Sequence, residues 1–454
     1  MCCRGAADAE EERKTKNFFI SIKESEKIFR NRQRRIKESH NGKRKSNCQE
    51  NDFLGSDYIS VINLLDRKKF AVRYRLLKQQ ERISIPEIFS ISENAEQVIK
   101  LLRETYTVLR CERTRKIIFD HTACLELGLS ASTIMDIIVL AAGKYREEQG
   151  ECLDIEGHLP HNKSVRDILL ASGLPYHLKA ESLSRFDEEH VQRFETIRGR
   201  HDIRANKADE VSTKLVLYFN KCLKTQNLEL NEEGLRLLSR ILGEVISNCE
   251  IHGGESATWY TQGHYQIKDD NSFGEMQMLF LNLGETIYEG LKDDVSKETK
   301  NKVRHILKRQ AGNMHPDWDE EMVLTVFALQ EGISRLRDSN IEGYEGRGSG
   351  TVSMIEMFND IGKCERGLKP QMTIISGKTQ IKFTDTYKMK RVRFERDAAF
   401  GTGDKRIIAF NKENDIYAPP DRNNVIKMSE YFPGTVISLK FYLDNRYITS
   451  KKRR

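Results

Sequence analysis

The chain has 454 residues and a mass of 52.6 kDa, with 38% hydrophobic and 31% charged residues and only 8 prolines; this is enough apolar content for cores in two or three domains and excludes a wholly disordered or collagen-like chain. Its net charge of +7 is unevenly placed: residues 1–45 hold 14 Lys/Arg against 7 Asp/Glu and the last four residues are all basic, which leaves an acidic body at −4. Nine scattered cysteines without a CxxC argue against a disulfide framework or a zinc ribbon. The absence of an apolar leader, and of any apolar run near the roughly 20 residues of a membrane span, makes a cytoplasmic protein without membrane contact the expectation.

Residues 1–50 read as a basic arm and 446–454 as a basic tail. The run from Arg30 to Lys37 could bind phosphates or an acidic partner, or stand as a solvated arm. From 51 to 180 strand-like and helix-like patterns alternate, as expected of a small α/β layer. Lys116–Asp120 reads as a buried strand, Ile134–Ala142 belongs to a helix, and Val165–Leu170 has helical spacing that stops at Ser172-Gly173. Over Ile117–Ala142 and Val165–Leu174 the chain resembles STAS-like domains, the anti-sigma antagonist fold. That resemblance implies a phosphorylatable hydroxyl near the helix start, where Ser130, Ser132 and Thr133 stand; the same hydroxyls could simply cap the helix. The charged stretch 181–204 reads as a linker.

The most informative segment runs from Leu235 to Gly254. Leu237, Leu238, Ile241, Leu242, Val245, Ile246 and Cys249 form one apolar stripe at helical spacing. Glu244, Asn248 and His252 interrupt it at i, i+4 and i+8, so a carboxylate, an amide and an imidazole stack along one line on or beside the buried face. Polar groups in that position need a ligand or a tertiary partner. Asn248 could offer a neutral oxygen to a hard cation bridging phosphates, and Glu244 could orient or deprotonate a water; three satisfied helix-edge residues is the plainer alternative. Met278–Leu283 is an apolar strand entering a turn at Gly284. Gly346-Arg347-Gly348-Ser349-Gly350-Thr351 then alternates glycines before a helical pattern, an arrangement that lets backbone N–H groups approach an anion.

In this order the segments resemble the gyrase, heat-shock chaperone, histidine kinase and mismatch-repair ATPase superfamily, over about residues 205–443. The resemblance implies a Bergerat-fold ATPase domain at 205–445 with a mixed sheet under helices, so that the whole chain is an α/β protein (an α+β sandwich) with a STAS-like domain in front. It implies ATP and Mg²⁺ as ligands. Asn248 would hold the metal, Glu244 would act as base or water-orienting carboxylate, and His252 would stand beside the phosphates. Asn282 and Gly284 would form the first glycine box, with Asn282 where the family usually has the Asp that reads adenine. Gly346, Arg347, Gly348, Gly350 and Thr351 would form the second glycine box, beneath a lid within 288–344. Met372–Gly377 and Thr379–Thr384 read as a hairpin, and Thr435 lies in the closing strand near the adenine. Ser376-Gly377-Lys378-Thr379 imitates the end of a P-loop but lacks its first glycine. The implied function is that of a bacterial ATP-dependent switch, or of an anti-sigma-type Ser/Thr kinase acting on a protein partner or on the chain's own N-terminal domain. The alternative is a nucleic-acid-binding or partner-binding protein with a degenerate nucleotide site that works through its basic ends, and a phage-defence ATPase is a third.

Overall fold

The structure, a computed structural model, describes residues 19–21, 57–72, 78–178, 190–200, 207–252, 257–268, 273–292, 295–333, 350–360 and 367–446. Residues 447–454 of the basic tail, most of the basic arm and the glycine-rich run 343–349 lie outside the described residues. The first elements in chain order are β1 (Phe19–Ser21), α1 (Tyr58–Arg67), β2 (Gln80–Ser84), β3 (Ile88–Phe89), α2 (Ile91–Leu109), β4 (Lys116–Asp120), β5 (Glu126–Leu127), α3 (Leu129–Glu148), β6 (Asp154–His158), α4 (Lys163–Ser172) and α5 (Leu174–His177). There follow β7 (Val191–Arg200), α6 (Lys207–Thr225), β8 (Leu228–Leu230), α7 (Glu232–His252), β9 (Thr258–Lys268), β10 (Phe273–Leu283), α8 (Ile287–Lys292), α9 (Lys297–Gln310) and α10 (Glu320–Phe327). The last are α11 (Gly350–Asp360), β11 (Gln371–Phe383), β12 (Lys390–Asp397), β13 (Gly401–Ile407) and β14 (Val425–Leu443). The chain is thus a mixed α/β protein, and no helix among the described residues is long and apolar enough to cross a membrane.

The centre of the molecule is a five-stranded sheet in the order β11-β14-β10-β9-β7. Every pair in it is antiparallel, in place of the expected mixed sheet. The reason is topological: β10 and β11 run the same way, but the last strand, β14, inserts between them and pairs antiparallel with both. The expected linker 181–204 is also corrected, because 191–200 are the edge strand β7. Strand β11 is one strand where a hairpin was expected. Its register shifts at Gly377, which adopts φ +59. The bulge reverses the alternation, so Met372 and Ile374 before it and Ile381 and Phe383 after it all reach the same core.

Alternation along β10 shows why the sheet sits where it does. Met276, Met278 and Phe280 face one core with helices α6, α7 and α11, while Leu279, Leu281 and Leu283 face a second core with α1, α2 and α3. All six side chains are buried. The N-terminal elements, with the parallel sheet β2-β4-β6, therefore lie directly on the back of the central sheet. Part of this contact is polar and matched. Gln277 accepts from the Leu129 N–H at 2.8 Å, Ser130 meets Ser438 at 2.8 Å, and Thr133 donates to Gln262. Ser130, Ser132 and Thr133 are all buried, in this layer rather than at an accessible helix start.

Fully burying a leucine side chain contributes about 1.5–3 kcal/mol relative to leaving it exposed, and the back face offers several. A fragment of residues 190–446 is therefore expected to aggregate or to bind a hydrophobic dye, whereas the whole chain does neither. A monomeric fragment with a cooperative thermal transition would show that the back face does not need its cover.

Candidate functional site

Helix α7 begins with Glu232 and Glu233 in its first turn, favourable near the positive end of the helix dipole, and the Asn231 side chain accepts from the Gly234 N–H at 2.8 Å. Its stripe is buried as the periodicity predicts, with Ile241, Val245 and Ile246 at 2% exposure or less. Asn248 sits at the edge of that stripe, half-buried, where the helix passes over the end of β10. Its amide Nδ2 reaches the Thr351 Oγ1, in the first turn of α11, at 3.5 Å.

Across the sheet from this contact, three neighbouring strands place one polar residue each at the same level. Asn282 on β10 is opposite Thr435 on β14, and Thr435 is opposite Ser376 on β11. Ser376 and Thr435 share a hydrogen bond at 2.9 Å, and Ser376 Oγ accepts from the Ile287 N–H at 2.8 Å. Asn282 donates through Nδ2 to the Glu285 carbonyl at 3.4 Å, which leaves its Oδ1 as the acceptor. The row depends on a close backbone approach at Gly434. That residue adopts φ +146, and a Cβ there would lie 2.1 Å from the Asn282 carbonyl oxygen.

The turn after β10 is held by a reciprocal cap. The Thr286 N–H donates to Glu289 at 2.9 Å and the Glu289 N–H to Thr286 Oγ1 at 3.1 Å, so Thr286 serves as the N-cap of α8. Glu289 also binds Lys68 at 2.5 Å and Tyr431 at 3.2 Å. Burial pushes the Glu289 carboxyl up, but the Lys68 ammonium together with the Thr286 N–H and the Tyr431 hydroxyl holds it below its ordinary value. One carboxylate thus joins the lip of the site to the N-terminal layer.

Between α7, the three-strand row and α8 lies a partly open cleft. Asn248, Asn282, Thr351 and Thr435, expected from separate sequence segments, all line it. Gly284 is buried in the turn at its rim, its N–H donating to the Pro433 carbonyl at 3.2 Å, and Gly350 opens α11. Glu244 lies one helical turn before Asn248, half-buried, and is not among the lining residues. The side chain of His252, and Gly346, Arg347 and Gly348, fall outside the described residues. Sequence reasoning missed Thr286 and the apolar wall of Leu291, Leu329, Ile333 and Ile374, and it missed Ser376, which holds Thr435 by a hydrogen bond. A Thr-x-x-Glu spacing could have marked Thr286, whereas nothing in the sequence marks Ser376 except the false P-loop. Of the region expected as a lid, 295–333 form α9, α10 and their connections.

Among the described residues no group of three or more His, Cys, Asp or Glu could hold a metal ion; the polar groups on the cleft are the neutral amides of Asn248 and Asn282, the carboxylate of Glu285 and the hydroxyls of Thr286, Thr351 and Thr435. Cys249, also on the cleft, is pushed up to about 12 by burial and remains a thiol. No family model matches the chain, and no curated protein or solved structure matches it.

Gly434→Ala is expected to lower stability by about 1–3 kcal/mol in urea denaturation, through the strained backbone and the contact with the Asn282 carbonyl. Glu289 has a folded pKa below its unfolded one, so its contribution is present above the ordinary carboxylate range and disappears as pH falls through the lowered value. Glu289→Gln should therefore flatten the pH dependence of the melting temperature below about pH 4.5 while lowering stability at neutral pH.

Proposed function

We propose that the chain binds Mg-ATP in this cleft and is a Bergerat-fold ATPase of the histidine-kinase-like or heat-shock-chaperone-like kind, preceded by a STAS-like layer, with ATP acting as a switch. The observation that carries this reading is the convergence of Asn248, Asn282, Thr351 and Thr435 on a single cleft. These residues come from four segments whose order alone suggested the superfamily.

The cleft divides by chemistry. Asn282 Oδ1 and Thr435 stand beside the apolar side chains of Leu291, Ile333 and Ile374, which suits a purine that donates an amino group while its faces stay dry. Asn248, Thr351 and the N-terminal turn of α11 form the other part, where the positive end of a helix favours phosphate. Bound there, Mg-ATP would supply the phosphoryl group and the cation. The chain's own part is Asn248 as an oxygen ligand, α11 as an anion site, and Glu244, one turn away, as the carboxylate that would take a water or hydroxyl proton.

Between switch and kinase, the buried hydroxyls favour the switch. Ser130 and Thr133 are tied to Ser438 and Gln262 beneath the sheet, and Ser132 is 4% exposed. Phosphoryl transfer to them would require the layers to separate. The Glu289–Lys68 pair offers a direct route by which a filled cleft would tighten or loosen the N-terminal layer.

Calorimetric titration with Mg-ATP tests the reading. Wild type is expected to bind, Asn248→Ala to bind at least tenfold more weakly with Mg²⁺ present, and Glu244→Ala to bind normally with reduced turnover. A wild-type chain that binds no adenine nucleotide would falsify the proposal.

A further inference from the structure

Helix α9 buries one side and leaves the other strongly cationic. Thr299, Ile306 and Gln310 are buried, and Val303 and Leu307 pack on the core. Lys297, Lys300, Arg304 and Lys308 are all exposed. Their spacing of i, i+3, i+7 and i+11 puts them on one stripe, and Lys300, Arg304 and Lys308 follow each other at a rise of about 6 Å.

Among the described residues nothing neutralises the stripe. Glu298, on the same helix, is held by Lys302. In the elements around it, Glu320 pairs with Lys292 at 3.3 Å, Asp317 with Arg422 at 3.3 Å and Asp319 with Lys427 at 2.8 Å. Among the described residues none of the four stripe cations has an ion-pair partner; Asp293 and Asp294, just before the helix, lie outside them. At the end of the helix Arg309 stacks over the Tyr417 ring at 4.5 Å. Like charges four residues apart destabilise a helix, and here they are concentrated on a body that is otherwise net acidic.

We propose that this stripe docks the phosphate backbone of a nucleic acid, without regard to base sequence. A regular row of cations fits a regular row of phosphates, and counterion release supplies the affinity. An acidic protein would want apolar or aromatic anchors at the centre of its interface. The outward face of Lys297, Lys300, Asn301, Arg304 and Lys308 has none. The position connects to the cleft, because α9 packs against α8, whose Gly290 and Leu291 line it. The proposal does not rest on nucleotide binding.

The test is fluorescence anisotropy of the full chain with a labelled 20-bp DNA duplex of mixed sequence, without nucleotide, from 50 to 200 mM KCl. Wild type is expected to bind with a steep salt dependence. The triple change Lys300→Gln, Arg304→Gln and Lys308→Gln should weaken binding at least tenfold at 50 mM salt. It should also lower the slope of log affinity against log salt by about 2.7, at roughly 0.9 per phosphate contact. Each single Gln change should lower the slope by about 0.9, and the charge-keeping set Lys300→Arg, Arg304→Lys and Lys308→Arg should stay within twofold of wild type. Absence of wild-type binding overturns the proposal, as does unchanged affinity and slope in the Gln variants, which would put the contacts elsewhere, as on the basic ends. Polyglutamate binding to the stripe in place of the duplex overturns it in favour of an acidic protein partner.

Discussion

Everything in this molecule is arranged around one strand that is buried on both faces. Leu279, Leu281 and Leu283 of β10 need cover as much as Met276, Met278 and Phe280 do, and no single helical layer can cover both sets. The helical layer α6, α7 and α11 takes one face, and the N-terminal elements take the other. The central sheet therefore holds two cores apart and belongs to both. Any motion of the N-terminal layer would act on the strands whose ends form the cleft.

The cleft arises from a local version of the same constraint. Strand β14 enters between β10 and β11, and Gly434 lets its backbone come within a distance that no side chain would allow. Asn282, Thr435 and Ser376 then fall in one row, and the capped turn at Thr286 closes the end of it. Asn248 arrives from above because helix α7 must lay its apolar stripe along the front core. The same packing that buries Val245 leaves Asn248 at the edge of the stripe, facing open space. Function at this site would thus follow from where the core stops.

Charge divides the chain differently from packing. The matched polar groups between the layers, such as Thr133 with Gln262 and Leu129 with Gln277, specify how the N-terminal layer docks, since each would be costly if left unpaired. The stripe cations of α9, Lys297, Lys300, Arg304 and Lys308, play no such part: they are exposed and lack ion-pair partners among the described residues. Among the described residues nothing balances their cost to the helix.

Helix α7 with Asn248 at the edge of its stripe, strand β4, the stop of α4 at Gly173 and the order of the cleft segments were all legible in the sequence, because each depends on residues close together in the chain, through periodicity or turn chemistry. The apolar run Met278–Leu281 of β10 even carried the sign that both its faces are buried. What covers the second face could not be read there, nor could the strand within 191–200, whose half-buried residues alternate too weakly to outweigh their charge. Ser376 and Thr286 became site residues only through neighbours distant in sequence, and Ser130 and Thr133 changed from candidate acceptors into buried contacts for the same reason. Periodicity reports which side of an element is buried; only the tertiary structure decides what it is buried against, because that depends on strand order and on close approaches such as the one at Gly434.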